Sequence, residues 1–277
     1  MYTFYHTIPS YLLERYLNLL GVQRRMPSTE ALIDLVQAHM LRVPFENISK
    51  LYYKKHHGLQ GLPDLELFLD GIERYNFGGT CYANNYFLSQ FLANLGYQIR
   101  LCGADMSNPD VHLVSVVKVA QREYLVDVGY AAPFLSPIPR DLTTDYTIVL
   151  GRDQYVLKPQ DAQGGSRMEL FRDGSLTHCY SVNPLARQIQ EFNSIIVDSF
   201  REDSTFMKTI LLARFFPKRS LVLHNLTLIE SEGTVSKSQF LNNRDEMVQA
   251  VHEYFGIPKE FILDVVKDID QFGDAWD

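Results

Sequence analysis

From Ser10 to Leu20 the chain reads Ser-Tyr-Leu-Leu-Glu-Arg-Tyr-Leu-Asn-Leu-Leu, apolar at three- and four-residue spacing and stopped by Gly21, which predicts a helix. A second helix is predicted from Ser28. Ser28 suits the N-cap, Glu30 suits the first turn, and Leu32, Leu35, Val36, His39 and Met40 share one face. A third covers roughly Thr80 to Leu95, where Cys81, Asn85, Leu88, Leu92 and Leu95 recur before Gly96, and Gly78-Gly79 stands just ahead of it.

After Gly96 the period shortens. Runs rich in Val, Ile, Leu and Tyr at Gln98–Cys102, Val111–Val119 and Glu123–Val128 are separated by Ser107-Asn108-Pro109-Asp110 and Ala120-Gln121-Arg122, the pattern of antiparallel strands. Further strands are predicted at Tyr146–Leu150, Gln154–Leu157, Arg167–Phe171 and Leu221–Glu230, with turns at Gly164-Gly165 and Asp173-Gly174. Helical period returns at Arg244–Phe255, which stops at Gly256, and at Lys259–Lys267. The expected class is α+β in three parts: helices over 1–96, an antiparallel β region over 97–195 that closes as a barrel or curled sheet, and a mixed α/β tail over 196–277.

Composition narrows the function. A content of 46% hydrophobic and 21% charged residues supports a folded core, and 16 Tyr with 17 Phe can line an apolar cleft. Twenty-six Lys and Arg against 33 Asp and Glu, with no long single-sign block, leave no phosphate-tracking surface for nucleic acid. Apolar runs such as Thr209–Leu212 are far below the roughly 20 residues that span a bilayer, so no membrane partner is expected. The first residues show no secretory pattern, and three Cys make no disulfide framework, which predicts a cytoplasmic setting.

The chemistry concentrates in Asn76-Phe77-Gly78-Gly79-Thr80-Cys81, which puts a thiol at a predicted helix start. Free N–H groups and the helix dipole there lower a thiol pKa and can hold an oxyanion beside the sulfur. His112 opens one predicted strand and can take the thiol proton, while Asp127 is a lone acid in the apolar run of the next and can orient the imidazole. Nucleophile, base and orienter in that order follow the logic of thiol acyl-transfer enzymes. Taken singly, each residue has a structural alternative: a core thiol, a hydrogen-bonded strand His, an Asp capping a turn.

With these residues in view, the chain resembles the arylamine N-acetyltransferases. The resemblance rests on Arg42-Val43-Pro44-Phe45-Glu46-Asn47-Ile48, on Gly78-Gly79-Thr80-Cys81 with Asn85, on His112-Leu113 and on Val126-Asp127-Val128-Gly129-Tyr130. It implies a helical bundle, β-barrel and α/β lid around a cysteine-protease-like Cys-His-Asp core, with Cys81 as acetyl acceptor, His112 as base then acid, and Asp127 as orienter. It also implies Phe45 and Tyr130 against the acceptor and Asn108 and Pro109 near coenzyme A. Acetyl-CoA would be a co-substrate, no cofactor would be permanently bound, and the other partner would be a small aromatic amine or hydrazine. Monomer and homodimer both stay open.

The chain departs from the family where Phe77 replaces an Arg and Ala83 a Glu, so two opposite charges are lost together and neither is stranded. Ala131 replaces the usual Gly, and 198–206 follows the family only loosely. Cys102 and Cys179 read as structural, and His178 with Cys179 lacks further ligands at zinc spacing. Lys54-Lys55-His56-His57 reads as a solvated loop. Three other functions use the same residues: an amide synthase or other acyltransferase, an idle homologue binding CoA or an aromatic ligand, and a cysteine protease.

Overall fold

The computed structural model describes residues 2–273. Helices α1 (Ser10–Leu20) and α2 (Thr29–Arg42) lie where the apolar spacing predicts them. The Ser28 hydroxyl accepts from the Ala31 N–H at 3.1 Å, and the five residues of the predicted α2 face are buried. Next come a short strand β1 (Phe45–Glu46) and helices α3 (Ile48–His57), α4 (Leu65–Tyr75) and α5 (Cys81–Asn94). Lys54 to His57 is therefore the last turn of α3, not a solvated loop. Basic side chains suit a helix C-terminus, and here Lys55 and His56 also bind Asp264, near the other end of the chain.

Eight strands follow: β2 (Gln98–Asp105), β3 (His112–Val119), β4 (Arg122–Val126), β5 (Ile138–Pro139), β6 (Tyr146–Leu150), β7 (Asp153–Leu157), β8 (Ser166–Arg172) and β9 (Ser175–Val182). They form one antiparallel sheet in the order β5-β4-β3-β2-β9-β8-β7-β6. It curls about a shared apolar interior, to which Val114, Val116, Leu125, Leu157, Leu170 and Tyr180 contribute. The other face of β3 packs on α5, so β3 is covered on both sides, and this is why its sequence is almost continuously apolar.

After a 3-10 turn at Ile189–Phe192, α6 (Asn193–Asp198) and α7 (Thr205–Lys208) lead into β10 (Leu211–Phe216), β11 (Arg219–His224), β12 (Thr227–Glu232) and β13 (Val235–Phe240), then α8 (Arg244–Phe255) and α9 (Lys259–Val266). The second sheet runs β1-β10-β11-β12-β13, with Phe45 opposite Ala213 and Glu46 opposite Leu212. The single strand expected over Leu221–Glu230 is two strands joined by a hairpin. Asn225 turns the chain at φ 52°, a left-handed conformation that Asn tolerates, while Leu226 keeps the composition apolar and masks the turn. Helices and curled antiparallel sheet together make an α+β fold. Among the described residues, no helix is long and apolar enough to cross a membrane.

Candidate active site

Cys81 is the first residue of α5, and its cap, Thr80, makes no side-chain hydrogen bond to the helix. The first-turn N–H groups are thus left free of side-chain capping beside a thiol that is 8% exposed. The loop before it is pinned from β1. The Glu46 carboxylate accepts from the Gly78 N–H at 3.0 Å and from the Ser49 N–H at 2.9 Å, and the Glu46 N–H donates to the Gly79 carbonyl at 3.1 Å. A Cβ on Gly78 would fall 1.9 Å from the Pro44 carbonyl oxygen, so this approach requires glycine.

His112 and Asp127 are brought to one end of the curled sheet by the β3–β4 pairing. His112 Nε2 lies 2.8 Å from Asp127 Oδ2, and both side chains are almost wholly buried. Asp127 has three further donors: the Tyr180 hydroxyl at 2.9 Å, Asn85 Nδ2 at 2.9 Å and the Gly129 N–H at 3.0 Å. Asn85 sits one turn after Cys81, and its Oδ1 accepts from the Val128 N–H at 2.8 Å, so α5 holds the acid as well as the thiol. Burial alone would push His112 down, but the Asp127 charge and hydrogen bond, helped by Cys81, raise it to about 10. Burial opposes the ionised Asp127 too, and contact with His112 and Asn85 outweighs it, so its carboxyl titrates below the ordinary range.

Cys81 and His112 line a cleft of about 750 Å³. Phe45, Tyr130 and Asn108 line it as well; Pro109, in the same turn as Asn108, does not. Cys81 Sγ lies 4.0 Å from the Val111 carbonyl oxygen. Phe77 packs as a buried ring among Tyr52, Tyr53, Tyr75 and Phe261, at centroid distances of 5.4–6.0 Å. Glu46 keeps backbone and hydroxyl donors, and burial raises its carboxyl above the ordinary range.

Sequence reasoning missed Tyr180 and Lys50. Tyr180 looks like any strand aromatic until the fold sets its hydroxyl on Asp127. Lys50 is buried beside the start of α5, with Nζ 2.8 Å from Ser199 Oγ and 4.3 Å from the Phe200 ring centroid, and burial pushes it down to about 8. Cys179 reaches the cleft wall with His178, whereas Cys102 is fully buried in β2. Among the described residues no group of three or more His, Cys, Asp or Glu could hold a metal ion.

Comparisons with known proteins agree with this architecture. A sequence profile described as N-acetyltransferase matches residues 28–262. The arylamine N-acetyltransferase 2 of Rattus norvegicus is 24% identical over 290 residues, covering 93% of this chain and 92% of the rat protein. A pineal-gland arylamine N-acetyltransferase isozyme of Gallus gallus is 33% identical over 142 residues, a match spanning 48% of this chain and 45% of the chicken protein. Among solved structures, the Mycobacterium marinum arylamine N-acetyltransferase in complex with CoA superposes with a TM-score of 0.77 at 22% identity, covering 93% of this chain and 99% of that one. The Mycobacterium abscessus enzyme gives 0.76 at 20%, covering 92% and 95%. With the profile covering most of its length, the chain belongs to the arylamine N-acetyltransferase family of acyltransferases.

Proposed function

We propose that the protein transfers an acetyl group from acetyl-CoA to an arylamine or arylhydrazine through an acetyl-Cys81 intermediate. The observation that carries the reading is the buried His112–Asp127 pair, 2.8 Å apart, whose His112 lines one cleft with a thiol at a helix N-terminus. With Nε2 taken by Asp127, Nδ1 is the ring atom left to accept the Cys81 proton. The thiolate attacks the acetyl thioester, and the first-turn N–H groups of α5 face the developing oxyanion, an effect worth on the order of 3 kcal/mol per donor. The tetrahedral adduct expels the CoA thiolate, which takes its proton from the imidazolium. An amine then attacks the acetyl-cysteine, gives up its proton to His112, and the Cys81 thiolate leaves.

In this reading Phe45 and Tyr130 hold the aromatic acceptor, and Asn108, on the cleft rim, meets the coenzyme. The CoA complex of the Mycobacterium marinum relative supports the choice of donor. The work divides along the chain: 1–96 supplies the thiol, 97–195 the base and acid, and 196–277 the lid. A cytoplasmic setting suits a thiol that must stay reduced. The test is incubation with acetyl-CoA and no acceptor, followed by peptide mass. One acetyl group on Cys81, absent in Cys81→Ala, is expected; an unmodified Cys81 would overturn the reading.

A further inference from the structure

Tyr130 and His178 meet on the wall of the Cys81 cleft, the phenol oxygen 2.6 Å from His178 Nδ1 and the ring centroids 5.6 Å apart. Their surroundings fix the protons. Tyr130 lies between Phe134 and Tyr180, at centroid distances of 6.1 and 4.9 Å, and burial holds its phenol well above the ordinary value. Burial, and after it the charge of His112, pushes His178 below its own ordinary value. A neutral phenol has one proton to give and a neutral imidazole one bare nitrogen, so Tyr130 donates and Nδ1 accepts. The remaining ring proton is then on Nε2, which has no hydrogen-bond partner among the described residues.

His178 lines the cleft, so its Nε2–H is a donor held beside the aromatic that faces the acceptor, and the tyrosine hydroxyl is occupied in fixing the ring. An aromatic ring seated here strips water from that donor. A hydrocarbon substituent leaves the N–H unpaired, whereas a ring oxygen restores its hydrogen bond. We propose that His178 is a specificity-determining residue that selects aromatic acceptors bearing a hydrogen-bond-accepting oxygen over hydrocarbon isosteres. The proposal rests on the arylamine reading of the cleft given above.

The test measures equilibrium binding rather than turnover, because a ring ketone also withdraws electrons from the amine and would alter the chemistry. The ligands are 4-aminoacetophenone and 4-isopropylaniline, matched in shape and differing at the carbonyl oxygen, titrated calorimetrically into the protein without acetyl-CoA. The wild type is expected to favour the ketone about tenfold, the scale of one net hydrogen bond. In Tyr130→Phe/His178→Phe, which removes the donor and the hydroxyl that could replace it, the ratio should fall close to one. Imidazole nitrogen NMR of the wild type should show the His178 Nε2 resonance moving with the ketone and not with the hydrocarbon. Equal affinities in the wild type, a preference that survives in the double variant, an unmoved Nε2, or no binding of either amine at millimolar concentration would each overturn the proposal. Failure of the acetyl-transfer reading registers separately, as a Cys81 that acetyl-CoA leaves unmodified while the binding ratio stands.

Discussion

Asp127 receives four hydrogen bonds, two on each oxygen, which only an ionised carboxylate can accept in full. In Asp127→Asn an amide N–H must face one of these donors, and the imidazolium loses its counter-charge. Turnover of an arylamine is expected to fall by on the order of 10⁴; a rate within tenfold of wild type would make Asp127 structural. The pair also sets a pH dependence. His112 is raised from 6.5 to about 10, so its contribution to stability is whole below about pH 6.5 and is lost as pH climbs towards 10. Asp127 is lowered, so its contribution is present above its ordinary 3.8 and is lost on acidification. Urea unfolding at pH 6 and pH 9.5 should show a larger decline in wild type than in Asp127→Asn; equal declines would sink this account. Cys81, His112 and Asp127 were legible in the sequence because each breaks a local pattern: a thiol after paired glycines, a polar ring and an acid in apolar strands. Tyr180 and Lys50 break none. Their placements come from contacts, 53 residues away at Asp127 for Tyr180 and 149 residues away at Ser199 for Lys50, which no local spacing encodes.

The start of α5 is packed against the turn that follows Asp127. A Cβ on Gly129 would lie 2.6 Å from Cys81 Cα and 2.9 Å from the Cys81 carbonyl oxygen, against backbone that cannot rotate away. Gly129→Ala is therefore expected to cost about 1–3 kcal/mol by overpacking and to move the nucleophile. Lower thermal stability together with slower alkylation of Cys81 would show both effects; an unchanged alkylation rate would mean that the turn, not the helix, yields. Helices α1, α2, α5 and α8 and strand β3 were readable because one uninterrupted hydrophobic period identifies each. The β11–β12 hairpin was not, since Leu226 carries the apolar run through the turn and only Asn225 marks it. Helices α3 and α4 were hidden altogether; at the end of α3, Lys54 to His57 has loop composition, and its order comes from Asp264 on α9.

At the scale of the whole molecule, the C-terminal sheet takes its first strand from the N-terminal helical region, and Asn47 fastens that seam. It is fully buried: Nδ2 donates to the carbonyls of Phe206 and Thr209 at 2.9 and 2.6 Å, and Oδ1 accepts from the Leu211 N–H at 2.9 Å. Phe206 and Leu211 line the same cleft as Cys81, and Phe206 meets Phe45 edge-on at 5.7 Å, so the seam also shapes the site. Asn47→Ala leaves three backbone groups without partners and should cost about 3 kcal/mol, read as a shift in the denaturation midpoint. Asn47→Asp separates the roles of the two amide ends. It keeps the acceptor for Leu211 but sets carboxylate oxygens against two carbonyls, so it should destabilise at least as much as alanine although it is closer in shape. If Asn47→Asp proved nearly as stable as wild type, the two carbonyls would have found other donors, and the seam would depend on the strand pairing of Phe45 and Glu46 with β10 rather than on the Asn47 side chain.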